Sequence, residues 1–269
     1  SALGEVDWNS RGTSRPLLGV FCILFGVLTI PSYVACAITM ITMRELSAYK
    51  IMIYLAVADI SSLIIGSIGF GVMSITGEVF CGHPRFQLLY SLAAEFFFFC
   101  STTACFLLAL NRLGEMISIS PIVWLFKCTR IYVVLFVGTM AVGLLVLFTP
   151  LLLFNSDYHM LFFDPMIFEG RFVYDSYVHL ACAILMPSTS LLLYFIMLLG
   201  LIYKHGSMAK WSKSDALSTA TYQILVQSGV IIAVHLTSVM SFQVLQFLPV
   251  SALDTALYLA HFGWMMVHG

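Results

Sequence analysis

Long apolar runs, each about the length of a membrane helix, alternate along this chain with short segments that carry most of its charges and turn residues. A bilayer core requires about 20 helical residues, so such runs predict transmembrane helices. Seven runs are found, at residues 17–43, 50–75, 87–112, 131–154, 177–203, 222–248 and 252–269. None shows the strict apolar and polar alternation of membrane β-strands, so we predict an all-α bundle of seven transmembrane helices.

The first and last parts of the sequence complete this predicted organisation. Residues 1–16 form an extracellular N-terminal segment, and residues 17–269 form one seven-transmembrane domain. The last apolar run is the shortest and has no charged flank after it. We therefore expect the seventh helix to be truncated in this sequence.

Composition agrees with a membrane location and narrows the possible partners. Apolar residues make up 61% of the chain and charged residues only 9%, whereas soluble domains carry about 25% charged residues. The formal net charge of −1 lacks the basic excess expected of a nucleic-acid-binding surface. We therefore expect membrane lipids among its partners, and no nucleic acid.

The distribution of basic residues predicts the orientation of the bundle. Lys and Arg are retained on the cytoplasmic side, and one set of connecting segments carries eight of them against four in the other set. The larger set is Arg44, Lys50, Arg112, Lys127, Arg130, Lys204, Lys210 and Lys213, and the smaller is Arg11, Arg15, Arg85 and Arg171. An extracellular N-terminus follows.

Two acids, Asp59 and Glu95, lie well inside apolar runs, where an ionised group costs at least about 2.5 kcal/mol. Asp59 falls near mid-membrane, as either a structural contact between helices or part of an ion, proton or conformational relay. Glu95 falls close to the outer surface. It either reaches headgroups and water or provides a negative anchor in an outer cavity lined by Phe99 and Thr102.

Other polar and aromatic side chains are candidates for the same cavity. Asp254, Tyr258 and His261 are spaced at i, i+4 and i+7, and His261, Trp264 and His268 at i, i+3 and i+7, so each trio lines one helical face. Packing and an interfacial aromatic belt explain this face as well as ligand contact does. His179 and His235 add polarity to the fifth and sixth segments.

Enzymatic and metal-dependent functions receive no support from the sequence. The histidines show no His-x-x-x-His or His-Glu-x-x-His pair, and no Cys-x-x-Cys is present. We predict no catalysis, no metal site and no cofactor. A transporter or channel, with Asp59 and Glu95 lining a polar pathway, is the alternative function, although the internal repeat typical of many transporters is not found.

Short motifs spread along the whole chain resemble a known family. Leu55-Ala56-Val57-Ala58-Asp59 and Asn111-Arg112-Leu113 are similar to the second- and third-helix motifs of rhodopsin-like G-protein-coupled receptors, with Asn111 in place of the usual acid. More closely, the chain resembles the nematode chemosensory serpentine receptors of class T, the Srt family. The segments that carry this resemblance are Arg15-Pro16-Leu17-Leu18-Gly19, Tyr49-Lys50-Ile51-Met52, Val79-Phe80-Cys81-Gly82-His83-Pro84, Ala109-Leu110-Asn111-Arg112, Gln227-Ser228, Gly263-Trp264 and His268-Gly269.

The resemblance implies a plasma-membrane receptor, with the sensory cilium as a candidate location. It implies a small-molecule ligand in an outer cavity and a heterotrimeric G protein at the cytoplasmic helix ends. Arg112 and Asn111 correspond to the G-protein switch, and Asp59 with Ser101 to a polar hub in mid-bundle. The sequence also departs from rhodopsin-like receptors, because the second outer loop, 155–176, has no cysteine to pair with helix three.

Overall fold

The computed structural model describes residues 12–42, 47–117, 120–127, 129–163 and 176–207, with residues 229–230, 233, 236–238, 240–241, 261–263 and 265–266. The helices are α1 (Pro16–Thr42), α2 (Ser47–Leu63), a π-helical turn (Ile64–Gly69), α3 (Phe70–Thr76), α4 (Pro84–Ile117), α5 (Ser120–Phe126), α6 (Arg130–Leu147) and α7 (Tyr177–Ser207). The strands are β1 (Leu153–Asn155) and β2 (Met160–Phe162). The predicted sixth and seventh segments lie mostly outside the described residues.

Five stretches of these helices are long and apolar enough to cross a membrane. They are Pro16–Thr42, Ser47–Thr76, Pro84–Ile117, Arg130–Leu147 and Tyr177–Gly200. Many large apolar side chains on α1, α6 and α7 are exposed, including Leu17, Phe136 and Leu185. Such a surface suits lipid rather than water.

The second membrane stretch is continuous from α2 through the π-helical turn into α3. Its C-terminal half, which is the outer half in the predicted orientation, packs closely on α1 through small residues. A Cβ atom placed on Gly19 would lie 2.4 Å from the Gly71 carbonyl oxygen, and one on Gly71 would lie 2.6 Å from the Gly19 carbonyl oxygen. Glycine at both positions therefore allows the two backbones to touch, as small residues commonly do between membrane helices.

Helix α4 lies at the centre of the described bundle and packs against α2, α6 and α7. A buried cluster from these four helices surrounds its middle and comprises Ala58, Phe98, Phe99, Cys100, Val142, Val146 and Ala183. A second cluster, Ile51, Ala104, Phe126, Ile131 and Leu135, joins α4 to the short helix α5 and the start of α6. One face of α4 is thus buried in the bundle interior over most of the length of the helix.

The predicted fourth helix, 131–154, is wrong at its C-terminal end. Helix α6 ends at Leu147, three residues before Pro150. Proline has no backbone N–H and clashes with the preceding turn, so the helix stops here despite the apolar run that continues beyond it. The rest of that run enters β1 instead.

Strands β1 and β2 form an antiparallel hairpin in which Leu153 pairs with Phe162 and Asn155 with Met160. Most of its side chains are buried in a core with Cys22, Phe70, Met73 and Tyr90. The Asn155 side chain stabilises the turn, because its Oδ1 accepts hydrogen bonds from the backbone N–H groups of Asp157 and Tyr158, at 2.9 and 3.3 Å. A buried hairpin therefore covers this end of the bundle.

Residues 13–15, which we term the N-terminal strap, connect the hairpin to the end of α3. Thr13 Oγ1 donates to Asp157 Oδ1 at 3.0 Å. The Arg15 backbone N–H donates to the Ser74 carbonyl at 2.8 Å, and the Ser14 hydroxyl donates to the Ile75 carbonyl. The strap thus holds the hairpin turn against the same end of the second membrane stretch.

Candidate functional site along helix α4

A buried Glu–His pair lies in the N-terminal half of α4, which is the outer half in the predicted orientation. His179 Nδ1 lies 2.8 Å from Glu95 Oε2, and both side chains are at most 4% exposed. The second carboxylate oxygen, Oε1, is buried and has no hydrogen-bond partner among the described residues. Glu95 therefore faces the bundle interior, and the structure brings together two of the predicted cavity residues.

Three phenylalanines enclose the His179 ring. Phe98 stacks on it with a centroid separation of 5.7 Å, while Phe99 and Phe163 present their edges at 5.2 and 5.1 Å. Ser176 fixes the start of α7, because its Oγ accepts a hydrogen bond from the His179 backbone N–H at 3.2 Å. The ring is thus held by aromatic packing on several sides and by the N-terminal cap of its own helix.

Phe99 and Thr102, the other predicted cavity residues of α4, make different contacts. Phe99 is almost fully buried and contacts His179. Thr102 is buried as well, but its hydroxyl donates to the Phe98 carbonyl one turn earlier, at 2.9 Å. Its hydrogen-bonding capacity is therefore largely used within α4.

Asp59 and Ser101 meet in the middle of the bundle. Ser101 Oγ donates to Asp59 Oδ1 at 2.7 Å, and both residues are buried. This contact joins α2 to α4 below the Glu95 level. A hydrogen bond to a carboxylate inside a bundle compensates part of the cost of burying it.

His261 contacts the π-helical turn. Its Nε2 lies 3.2 Å from the Gly66 carbonyl oxygen, and its ring stacks on Phe70 at 3.7 Å. Tyr90 of α4 donates its hydroxyl to the neighbouring Ile65 carbonyl at 3.0 Å. His261 therefore faces the bundle interior, whereas His235, Tyr258 and Trp264 lie outside the described residues.

The hydropathy pattern does not predict this π-helical turn. A π-helix bonds each N–H to the carbonyl five residues earlier, and such turns are frequent at functional sites. The segment Ile64–Gly69 contains two glycines, which is the only signal that the sequence offers. Here the turn connects α4 with His261 through two carbonyl groups, those of Ile65 and Gly66.

A looser polar cluster lies at the C-terminal end of α4, which is the inner end in the predicted orientation. Asn111 Nδ2 donates to Ser47 Oγ at 3.0 Å, and the Ser47 hydroxyl lies 3.1 Å from Glu115 Oε1. Arg112 Nη1 contacts Glu115 Oε2 at 3.3 Å, with the two side chains 30% and 46% exposed. Ser47, Asn111, Arg112 and Glu115 therefore form one network, which we term the inner cluster.

Two aromatic rings hold basic residues near the inner cluster. The Arg130 guanidinium carbon lies 3.9 Å from the centroid of the Trp124 ring, and Lys50 Nζ lies 5.2 Å from that of Tyr132. Helix α5 packs tightly on α4 here, since a Cβ on Gly114 would lie 2.5 Å from Ile122 Cγ2. Cations held over rings keep positive charge fixed at this end of the bundle.

At the opposite end, the hairpin reaches α4 through Gln87, whose Oε1 accepts a hydrogen bond from the Phe154 backbone N–H at 3.2 Å. His159 lies in the hairpin turn with a φ of 46° and is fully buried. Burial, followed by the nearby Arg15 cation, lowers the pKa of His159 to about 4, against opposing effects of Asp157 and the Thr13 backbone. His159 is therefore neutral at pH 7.

The described residues contain no group of three His, Cys, Asp or Glu side chains that could hold a metal ion. Glu95 and His179 are a pair without a third ligand of this kind. The chemistry that they offer is hydrogen bonding and charge.

Comparison with known proteins relates this architecture to one family. The family model described as "Serpentine type 7TM GPCR chemoreceptor Srt" matches residues 4–269. A curated relative, "Serpentine receptor class T-55" of Caenorhabditis elegans, is 24% identical over 201 residues, which are 72% of this chain. The chain spans about half of that relative's length, at 54%.

The match covers nearly the whole sequence, and the described residues contain five apolar helices of membrane length. The predicted helical-bundle fold class and the predicted family are confirmed. The chain belongs to the Srt family of serpentine seven-transmembrane chemoreceptors, and it is a multi-pass membrane protein.

Proposed function

We propose that this protein is a plasma-membrane chemosensory receptor that binds a small molecule among the outer helix ends and activates a heterotrimeric G protein at the inner ends. The N-terminus is extracellular in this proposal, with the sensory cilium as a candidate location. The observation that supports it most strongly is the buried pair of Glu95 and His179. Burying two ionisable groups costs more than apolar packing would, so a binding role explains them better than stability does.

In this proposal, helix α4 connects the ligand-binding end of the bundle to the end that contacts the G protein. Glu95 and Arg112 are 17 positions apart on it, which is about 25 Å along the helix axis. The Asp59–Ser101 contact lies between them and acts as the polar hub. Ligand contacts at the outer end come from Glu95, Phe99, Thr102, His179 and His261, with His235, Tyr258 and Trp264 as further candidates.

The inner cluster is suited to act as the switch. Among the described residues, Arg112 pairs with the partly exposed Glu115, and such pairs contribute about 0.2–1 kcal/mol. A G protein that offers a better acceptor can therefore recruit Arg112 at little cost. Asn111 ties α4 to the start of α2 through Ser47 and is released when the helix ends separate.

Transport or channel activity receives less support. A continuous polar pathway would have to connect Glu95 to Asp59. Phe98 and Phe99 lie between the Glu95 and Ser101 levels of α4 and pack in an apolar cluster with Ala58. The described residues thus separate the two acids by hydrophobic packing.

The test is guanine-nucleotide exchange on a co-expressed heterotrimeric G protein, measured at matched surface expression. Arg112→Ala is expected to abolish exchange above the level of cells without receptor. Arg85→Ala, the same change at the exposed outer end of α4, is the control and retains wild-type exchange. Equal exchange in both variants would remove Arg112 from the switch.

A further inference from the structure

Several buried side-chain nitrogen and oxygen atoms have no hydrogen-bond partner in the part of the chain that the structure describes. Three of these atoms, Gln87 Nε2, Ser91 Oγ and Glu95 Oε1, belong to residues that lie on α4 at intervals of four. Residues spaced by four share one face of a helix. We term these three residues the outer stripe, which spans about 12 Å along the helix axis.

Burial makes the outer stripe unusual. Gln87 and Ser91 are each 1% exposed and Glu95 is 3% exposed. Most buried polar groups in proteins are hydrogen-bonded, and an unpaired one costs about 1–3 kcal/mol. Three such groups in succession on one helix face indicate that another molecule completes them.

The chemistry of the three atoms defines what this molecule carries. Gln87 Nε2 is only a donor, because an amide nitrogen does not accept hydrogen bonds, and Gln87 Oε1 already accepts from the Phe154 N–H. Glu95 Oε1 is only an acceptor when ionised, with Oε2 held by His179. Ser91 Oγ lies between them and serves either role.

We infer that the outer stripe is the ligand site of this receptor and that it takes an elongated amino-carbonyl compound. The amine donates to Glu95, the carbonyl accepts from Gln87, and the Ser91 hydroxyl contacts the middle. This inference rests on the proposed function for its consequence, since the bound compound is the one that would trigger signalling. The site discriminates strongly between compounds. A compound that lacks the amine leaves buried Glu95 Oε1 unpaired, and one that lacks the carbonyl leaves buried Gln87 Nε2 unpaired.

Strand β1 covers the outer end of this site. The Phe154 N–H bond to Gln87 places the hairpin directly at the carbonyl end of the proposed ligand. The aromatic rings around His179 border the amine end, where Phe98 and Phe99 lie on the same helix as Glu95. A primary amine therefore meets a carboxylate and aromatic rings together, which favours a cation.

The experiment uses the purified full chain and three probes that differ only in their end groups. These are ω-aminohexanamide, hexylamine and hexanamide, and binding is measured by isothermal titration and by the shift in thermal unfolding. The wild type is expected to bind ω-aminohexanamide at least about tenfold more tightly than either of the other two. No G protein is present, so failure of binding is distinguishable from failure of signalling.

Substitutions test which residue binds each end of the probe. Gln87→Leu is expected to bind ω-aminohexanamide no better than hexylamine, and Glu95→Gln is expected to bind it no better than hexanamide. Ser91→Ala is expected to change binding of ω-aminohexanamide little, because the middle of this probe presents only methylene groups to the Ser91 hydroxyl. Ser190→Ala is the matched control, since Ser190 is also fully buried but its hydroxyl donates to the Met186 carbonyl; it leaves the probe preference unchanged.

Two results would overturn the inference. One is equal binding of the three probes by the wild type, which would mean that ordered water alone completes the stripe. The other is a preference that survives both Gln87→Leu and Glu95→Gln. If binding follows the expected pattern while no G protein responds, the proposed function fails and the ligand site stands.

Discussion

The two ends of helix α4 use polar side chains in opposite ways. At the outer end, Glu95 and His179 are nearly inaccessible and are enclosed by aromatic rings and a buried hairpin. At the inner end, Arg112 and Glu115 form a longer and partly exposed contact. In the proposed function, the enclosed outer region recognises the ligand, and the partly exposed contacts of the inner region exchange easily.

The largest expected effect comes from breaking the outer pair. His179→Ala leaves a buried carboxylate without its partner, which costs about 3–5 kcal/mol of stability. His83→Ala is a matched control, because His83 Nδ1 also lies 2.7 Å from a glutamate, Glu78, but the His83 side chain is 59% exposed. Thermal unfolding of the full chain in detergent measures the loss of stability in both variants. A similar small loss in the two variants would contradict the distinction between a buried outer pair and exposed pairs.

The hairpin turn should make the outer end sensitive to acid. The folded pKa of His159 lies below the ordinary value of 6.5, so unfolded chains bind more protons and stability falls as the pH falls. The stability is fully present above about pH 6.5 and is progressively lost towards pH 4, by up to about 3 kcal/mol.

His159→Asn is the control for this pH dependence. Asparagine does not titrate, and it tolerates the positive φ of this position better than most residues. Unfolding midpoints of both proteins, measured from pH 7.5 down to pH 4, are expected to converge at low pH. An unchanged pH dependence in the variant would exclude His159 as the cause.

The π-helical turn offers a sharper test of packing in the outer half. A Cβ on Gly69 would lie 2.8 Å from Tyr90 Cε2, so Gly69→Ala is expected to cost about 1–3 kcal/mol by overpacking. Gly143→Ala on α6 places its Cβ at an ordinary 3.7 Å from Phe96 and is expected to be neutral or stabilising. Equal unfolding midpoints for the two variants would show that Tyr90 moves aside freely.

The smallest effect on stability is expected at the inner cluster. Ser47→Ala removes the hydroxyl that contacts both Asn111 and Glu115, at a cost of about 0.5–1.5 kcal/mol. Because this contact ties α2 to α4, its loss should raise ligand-independent nucleotide exchange while unfolding changes little. Lower basal exchange in Ser47→Ala would contradict a restraining role for the inner cluster.

Five of the seven predicted membrane helices correspond to helices among the described residues, because length and apolarity are local properties. The helix ends were less predictable. The apolar run 131–154 reads as one span, although Pro150 lies inside it and the following residues form β1. The strand pairing of Leu153 with Phe162 depends on residues beyond the turn, which hydropathy does not relate to each other.

The candidate site was predictable residue by residue but not as contacts. An isolated acid in an apolar run singled out Asp59 and Glu95. The hydroxyl that Asp59 contacts, Ser101, followed from the resemblance, whereas the partner of Glu95 lies 84 residues away on α7. Such a partner depends on which helix faces meet, and one sequence does not provide that information.

The π-helical turn illustrates the same limit. Two glycines in Ile64–Gly69 are compatible with an ordinary membrane helix. The carbonyls that the turn presents are bonded by Tyr90 and His261, which come from distant parts of the chain. Tertiary contacts therefore satisfy the carbonyls of the π-helical turn, and the composition of this segment does not distinguish a π-helix from an α-helix.

The central claim is that α4 transmits ligand binding at its outer end to a G protein at its inner end. The most direct measurement is nucleotide exchange by wild type, Glu95→Gln and Arg112→Ala, stimulated with increasing ω-aminohexanamide at matched surface expression. We predict that Glu95→Gln shifts the response to at least about tenfold higher concentration while keeping its maximum, and that Arg112→Ala removes the maximum. Unchanged dose–response curves in both variants would contradict the claim.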